Sequence, residues 1–207
     1  MKNSLLLLIV TFLAISNSPA SEALLSYQNS EGGYVTGTAG WTFSPAANIS
    51  VTGLGVFDSI FALPNEGPIS VGLWNASGTL LSSSLVTSNS SLLNSTRYEA
   101  VAPTFLTAGL TYYIGAYAPG GTILLSGVDP AMDGPVTMSP GIQLGMAVAD
   151  LNAYGWPTTP VGGPGSALIA PNFQFVNAVP EPSAEGVFIL GAALLVKNRM
   201  RRSKTRI

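Results

Sequence analysis

The chain has 207 residues, with no His and no Cys, and only 9% of them are charged. The lack of these two residue types excludes disulfide bonds, a cysteine nucleophile, a Ser-His-Asp triad and the usual zinc ligands. From residue 24 to residue 179, Arg97 is the single cation against seven carboxylates, and this charge of about −6 argues against nucleic acid or anionic lipid as a partner.

The first residues have the pattern of a secretory signal. A cationic start precedes an apolar run over residues 5–15, and a small-residue site, Ser18-Pro19-Ala20, follows. This order predicts export, with cleavage after Ala20 or Ala23. The alternative is an uncleaved N-terminal anchor. In either case we expect residues 1–23 to form a signal helix outside the folded domain.

Residues 24–177 are predicted to form one domain, because roughly 155 residues suit a single core. The apolar residues alternate with a period of two, Gly, Pro, Asn and Ser interrupt them, and no window predicts a helix. This pattern favours an all-β fold, a single β-sandwich of jelly-roll-like type, over a barrel or a parallel sheet. The predicted strands cover residues 40–43, 49–58, 69–75, 79–86, 97–102, 111–118, 122–126 and 168–176.

Gly and Pro mark the turns of this domain. The clearest hairpin joins residues 69–75 to residues 79–86 through Ala76-Ser77-Gly78, where Gly supplies the positive φ of a tight turn. Residues 127–165 differ from the rest, since they are rich in Gly and Pro. We expect them to form a long excursion over one rim of the sandwich that is ordered only in places.

Arg97 is the one cation of the body, so its partner is worth predicting. Glu99 lies two positions further along the same strand and therefore on the same face. Asp58 is the candidate partner from another strand. We interpret Arg97 as a member of a structural ion pair rather than as a ligand-binding residue.

Aromatic side chains are the candidate binding residues, because apolar sugar faces stack on exposed rings. Tyr154 and Trp156 lie in the excursion of residues 127–165, and we predict that they are exposed and form a glycan contact. Tyr113 and Tyr117 share one face of their strand. The aromatic residues of the strands are predicted to belong mostly to the core, and these are Trp74, Tyr112, Tyr113 and Tyr117.

Carboxylates are the remaining candidates for chemistry. Asp129, Asp133 and Asp150 lie in the Gly- and Pro-rich excursion, where a glycosidase pair or a Ca²⁺ site could be built from carboxylates and backbone carbonyls. We interpret them instead as turn-forming residues beside Pro and Gly. The sequence therefore assigns no catalytic residue, no metal ligand and no cofactor.

The C-terminal region, residues 178–207, has three parts. In the motif Val179-Pro180-Glu181-Pro182 the prolines fix φ and lack N–H donors, so we expect an extended backbone that a processing enzyme can reach. The apolar residues 187–196 follow and are predicted to form a transmembrane helix. A basic end is expected to stay on the cytoplasmic side, and its six cations are Lys197, Arg199, Arg201, Arg202, Lys204 and Arg206.

The apolar segment is short for a membrane span. Residues 187–196 make about 15 Å of helix, against roughly 30 Å of hydrocarbon. The span is therefore expected to include residues 183–186 and the snorkelling side chains of Lys197 and Arg199. The alternative is a buried amphipathic C-terminal helix, although residues 187–196 offer no polar face.

The three-part tail resembles the PEP-CTERM sorting signal of exported bacterial proteins. The resemblance implies that an exosortase-like enzyme is a partner and cuts near Pro180-Glu181-Pro182. It also implies that the tail anchors the protein in the inner membrane until the body passes to the cell envelope surface or the extracellular matrix. Whether the tail is cut or remains as an anchor stays open at this point.

The body carries a second resemblance. Gly40-Trp41-x-Phe43, Val71-Gly-Leu-Trp74 and Leu106-Thr-Ala-Gly-Leu-Thr-Tyr112 occur in the order of an uncharacterised exported β-sandwich domain that is common in PEP-CTERM proteins. This resemblance implies a fold and a setting, and it carries over no catalytic residues.

These observations predict an exported cell-surface or extracellular-matrix protein with a non-catalytic, structural or adhesive role. The alternative is a carbohydrate-binding module for extracellular polysaccharide. A carboxylate-dependent glycan hydrolase is the less favoured reading.

The sorting hypothesis predicts the effect of a single substitution in the tail. Replacing Glu181 with Ala should leave membrane insertion intact, because the apolar segment and the basic end are unchanged, but it should block the cut. Uncleaved protein is then expected to accumulate in the inner membrane, which fractionation and intact mass would detect. Maturation of the variant to the mass and place of the wild type would contradict the sorting function of this motif.

Overall fold

A computed structural model describes residues 20–26, 32–35, 37–58, 67–117, 123–128, 137–150, 153–164, 167–168 and 171–178. The predicted signal helix of residues 1–23 lies outside these residues as far as residue 19, and the predicted tail lies outside them from Val179 onwards. The last part of the signal prediction is wrong, because Ser21 and Glu22 form a strand of a sheet instead of a helix outside the domain. The chain divides into two units, Met1–Asn177 and Ala178–Ile207, and the described strands belong to the first. In the part that the structure describes, no helix is both long and apolar enough to cross a membrane.

The described residues form strands joined by turns and loops, with no α-helix among them. In chain order the strands are β1 (Ser21–Glu22), β2 (Leu24–Ser26), β3 (Gly32–Val35), β4 (Thr38–Pro45), β5 (Ile49–Phe57), β6 (Ile69–Asn75), β7 (Leu80–Val86), β8 (Ser91–Leu93), β9 (Thr96–Leu106), β10 (Tyr112–Tyr117), β11 (Ile123–Val128), β12 (Thr137–Met138), β13 (Ile142–Asp150), β14 (Thr159–Pro164), β15 (Ala167–Leu168) and β16 (Pro171–Asn177).

Two large sheets carry most of these strands. One has five strands in the order β1-β16-β5-β9-β8, and the other has six in the order β14-β13-β4-β10-β6-β7. Two small sheets, β15-β11-β3 and β12-β2, complete the described set. Each recorded strand pair is antiparallel, as the alternating apolar pattern predicts.

The two large sheets pack through a shared apolar core. Trp41 and Phe43 of β4 meet Phe173 of β16, with ring centroids 5.9 Å and 4.6 Å from that of Phe173. The indole N–H of Trp41 also donates a hydrogen bond of 2.9 Å to the carbonyl of Pro171. These contacts give the domain a β-sandwich-like architecture, since both inner faces contribute to one core.

Most predicted strands are confirmed, and several are longer than predicted. Residues 97–102, for example, form the middle of the 11-residue strand β9. The predicted hairpin is confirmed as well. It joins β6 to β7, and Gly78 has the expected positive φ of 80°.

The prediction of an excursion over residues 127–165 is wrong for its middle part. Residues Ile142–Asp150 form β13, which pairs along β4 and so belongs to the six-stranded sheet. Gly141, with a φ of 87°, makes the turn that leads into this strand, and Ile142 N–H donates to the Ser139 carbonyl at 3.1 Å. The Gly- and Pro-rich composition thus marked the turns around a strand and hid its alternating pattern.

Arg97 begins a polar network at one end of the five-stranded sheet. Its guanidinium forms a salt bridge with Asp58 and donates a hydrogen bond of 3.0 Å to the Ser90 carbonyl. The Ser90 hydroxyl donates in turn to the carboxylate of Glu99. The predicted pairing with Asp58 is therefore confirmed, and Glu99 joins the same network through Ser90.

Replacing Arg97 with Ala should lower the melting temperature, because the Asp58 carboxylate and the Ser90 carbonyl both lose their donor. We expect a loss of about 1–2 kcal/mol, since the pair is only half-buried. Arg97→Lys is the matched control, and it should restore part of the loss because it keeps the charge. A melting temperature for Arg97→Ala equal to that of the wild type would contradict a structural role for the pair.

Candidate functional site

The outer face of the six-stranded sheet carries a row of aromatic side chains. Alternation along β10 places Tyr112 and Ile114 in the core, and it places Tyr113 and Tyr117 on the opposite face. Trp74 of β6 is the direct cross-strand partner of Tyr113 and therefore shares that face.

A loop, residues 153–158, crosses this outer face after β13. The Thr38 hydroxyl fixes the loop, because it donates to the Ala153 carbonyl at 2.8 Å and accepts from the Gly155 N–H at 2.9 Å. Tyr154 of the loop then lies between two strand residues, with its ring centroid 5.8 Å from that of Trp74 and 6.0 Å from that of Tyr117.

Trp156 is the second aromatic residue of the loop. Its ring meets Tyr113 edge-on, with centroids 5.5 Å apart. It also lies over the β6–β7 turn, where a Cβ added to Gly78 would be 2.3 Å from the indole Cε3. We call the five residues of this outer face the aromatic cluster, and they are Trp74, Tyr113, Tyr117, Tyr154 and Trp156.

The side chain of Asn75 stabilises the β6–β7 turn that lies under Trp156. The Asn75 side-chain oxygen accepts from the backbone N–H groups of Ser77 and Thr79, at 3.0 Å and 2.9 Å. This arrangement is an Asx-type turn, and it leaves Gly78 with a φ of 80° that L side chains rarely adopt. The turn therefore brings backbone, with no side chain, against the indole.

Glycines form a flat floor under the rest of the aromatic cluster. Gly40, Gly115 and Gly72 are register partners on the adjacent strands β4, β10 and β6. A Cβ at Gly72 would lie 2.2 Å from Cη2 of Trp74, and one at Gly115 would lie 3.3 Å from Cγ of Pro157. The indole of Trp74 and the ring of Pro157 can approach the sheet because these positions have no side chain.

The members of the aromatic cluster differ in exposure. Trp74 is buried beneath the loop, whereas Tyr154 is 37% exposed and is the ring that solvent reaches best. Burial raises the pKa of Tyr154, and a hydrogen bond with Ser83 acts in the opposite direction. The Nε1–H of Trp156 is buried with no hydrogen-bond partner among the described residues, and an unpaired donor of this kind costs about 1–3 kcal/mol.

The structure brings the two predicted glycan-contact residues onto one surface. Tyr154 is exposed as predicted, while Trp156 is half-buried. Tyr113 and Tyr117 share one face as predicted, but that face is the outer one. Trp74 is buried as predicted, although the loop covers it rather than the opposite sheet. The sequence does not indicate that these residues associate, because residues 153–158 are distant along the chain from β6 and β10 and meet them only in the folded domain.

A cleft at one end of the sandwich is a second candidate surface. It has a volume of about 560 Å³ and lies where the β6–β7 turn meets the β9–β10 connection. Phe105 and Leu110 line it and are 57% and 55% exposed. Its lining residues are all uncharged, and they are Asn75, Ala76, Ser77, Leu81, Phe105, Gly109, Leu110, Thr111 and Tyr112. Two separate segments, residues 75–81 and 105–112, form this cleft, so no single stretch of sequence indicates it.

The carboxylates of the excursion do not form a described site. Asp129 and Asp133 lie outside the described residues. Asp150 ends β13, is half-buried, and has a carboxylate oxygen 3.2 Å from where a Cβ at Gly155 would lie. Among the residues that the structure describes, no group of three or more acidic, His or Cys side chains could hold a metal ion.

The raised pKa of Tyr154 predicts a pH dependence of stability. Because its pKa is higher in the folded protein than in the unfolded chain, its contribution is complete below about pH 10 and is lost as the pH rises further. Tyr154→Phe should therefore show a smaller fall in melting temperature between neutral and strongly alkaline pH. Equal falls in the variant and the wild type would contradict this account of Tyr154 burial.

Comparison with known proteins identifies the family of the body. No curated protein matches the chain at a significant level. The sequence model of a domain of unknown function, DUF4082, matches residues 25–159. This range is more than half of the chain and contains all five residues of the aromatic cluster. The chain therefore belongs to the DUF4082 family.

Proposed function

We propose that this chain is an exported, non-catalytic protein of the cell surface or extracellular matrix with a structural or adhesive role. The secretory pattern of residues 1–23 and the sorting pattern around Glu181 support export and sorting by an exosortase-like enzyme. The body is acidic, which argues against nucleic acid or an anionic membrane as its ligand. In the same proposal, the body forms a jelly-roll-like sandwich that includes β1 (Ser21–Glu22), and the antiparallel pairing of the two large sheets supports this.

The observation that carries the adhesive role is the aromatic cluster. Its five rings are uncharged, they lie on a glycine floor, and a loop fixed by Thr38 holds two of them in place. Aromatic rings of this kind bind a ligand through stacking and apolar contact. They supply no pair of catalytic groups, such as a general acid and a general base or a base and a nucleophile.

A more specific candidate, which the same cluster favours, is a carbohydrate-binding module for extracellular polysaccharide. Sugar rings present C–H faces that stack on aromatic rings, and their hydroxyl groups bind neighbouring polar groups. Tyr154 offers both features, because its ring is partly exposed and its hydroxyl lies beside Ser83. Since the cluster carries no formal charge, the ligand class that fits it best is a neutral polysaccharide. A carboxylate-dependent hydrolase remains the less favoured function.

The carbohydrate-binding candidate predicts that Tyr154→Ala weakens binding to isolated neutral extracellular polysaccharide by about tenfold or more. A tenfold change corresponds to about 1.4 kcal/mol, which is within the range of about 0.5–1.5 kcal/mol for one stacked aromatic contact. Affinity electrophoresis or calorimetry would measure binding, and a reducing-end assay on the same mixture should detect no bond cleavage. Release of new reducing ends would instead favour the hydrolase.

Two further variants locate the binding surface. Leu92→Ala changes an exposed apolar residue of β8 in the other large sheet, so it should leave the affinity unchanged. Phe105→Ala changes the end cleft instead of the aromatic cluster. If Phe105→Ala abolishes binding and Tyr154→Ala does not, the cleft is the binding surface and the assignment to the aromatic cluster is wrong.

A further inference from the structure

The residues directly after Ala20 are part of the folded domain. Ser21 and Glu22 form β1, and they pair with Phe175 and Gln174 at the edge of the five-stranded sheet. Ala23 is fully buried, its N–H donates to the Phe173 carbonyl at 2.9 Å, and its carbonyl accepts from Ser139 N–H at 2.8 Å. Among the described residues, the sandwich therefore begins at Ser21.

Glu22 makes the most specific of these contacts. The residue is 6% exposed, and its carboxylate accepts a hydrogen bond of 2.8 Å from the Tyr98 hydroxyl and one of 2.7 Å from Asn94 Nδ2. Burial and the carboxylate of Glu22 both raise the pKa of Tyr98, so the hydroxyl stays protonated and continues to donate. A body without Glu22 would leave the buried Tyr98 hydroxyl without this acceptor.

Leu24 is bound in a way that suits an internal residue. Its N–H donates to Asn172 Oδ1 at 3.0 Å, and its carbonyl accepts from Asn172 Nδ2 at 3.0 Å. Asn172 is itself buried. If Leu24 were the first residue, its backbone nitrogen would be a charged ammonium group in this buried place, which is unfavourable.

Two peptide bonds compete as the processing site on sequence grounds. Ser18-Pro19-Ala20 and Ser21-Glu22-Ala23 each place small residues one and three positions before a cut. Because processing occurs on an extended chain, the enzyme can reach either bond. The structure distinguishes the two bonds by which cut leaves a product that can fold. Only a cut after the exposed residue Ala20 leaves β1, Ala23 and the amide of Leu24 intact.

We propose that processing occurs between Ala20 and Ser21, and that Ser21–Ala23 is the first structural segment of the mature sandwich. This inference rests on the proposed export. Glu22 then ties β1 to the hairpin of β8 and β9 through its hydrogen bonds with Tyr98 and Asn94.

N-terminal sequencing and the intact mass of the exported full chain test the processing site. The inference predicts a protein that begins at Ser21. A protein that begins at Leu24, lighter by Ser21, Glu22 and Ala23, would overturn the inference while leaving export intact. An exported fraction without the protein, together with unprocessed chain that begins at Met1, would contradict the proposed export itself.

A stability measurement on the exported protein gives an independent readout. Glu22→Ala should lower the melting temperature of the mature protein by about 5 °C, since two buried hydrogen bonds are lost. The matched control is Ser21→Ala, which changes an exposed neighbour and should have no effect. Glu22→Gln keeps the shape of the side chain and should give a smaller shift if Glu22→Ala does not fold. Identical melting temperatures and masses for mature wild type, Glu22→Ala and Glu22→Gln would show that Glu22 is removed, and the inference would be wrong.

Discussion

The packing of Trp41, Phe43 and Phe173 is the contact on which the rest of the domain depends. These three rings join the two large sheets, and the hydrogen bond from the Trp41 indole to Pro171 fixes the two layers at that point. Losing a buried ring such as Phe173 would cost about 3–5 kcal/mol, against a total of about 5–15 kcal/mol for a typical domain. The loss of one of these rings would thus remove a large share of the stability of the domain.

The strand that carries this junction also supports the candidate site. Along β4, Trp41 and Phe43 point into the core, while Thr38 and Gly40 lie on the other face. Thr38 holds the loop of residues 153–158, and Gly40 belongs to the glycine floor under the aromatic cluster. The core and the aromatic cluster thus lie on opposite faces of one sheet. The packing of the core therefore also holds the strands that carry the cluster. A surface that is held in its binding geometry in advance loses less entropy when a ligand binds.

The sequence predicts the strands best where apolar alternation is long and uninterrupted, as in β5, β6 and β10. It fails for β13, because Gly145 and the flanking Pro and Gly residues obscure the period of two. Short edge strands such as β1 carry too few residues for any period. Asp58 could be named as a candidate partner of Arg97, because Arg97 is the single cation of the body and Asp58 ends a predicted strand. The aromatic cluster could not be assembled in this way, because Thr38 and Ala153 meet only after the sheet has formed.

The proposed ligand-binding surface is the outer face of the six-stranded sheet, and amide hydrogen exchange tests this proposal most directly. Exchange would be compared for the exported protein with and without neutral extracellular polysaccharide. We expect slower exchange in residues 153–158 and in the adjoining strand β10, because a ligand stacked on Tyr154 would hold the loop against the sheet. Protection confined to the end cleft around Phe105 and Leu110, or bound polysaccharide with no protection of residues 153–158, would contradict it.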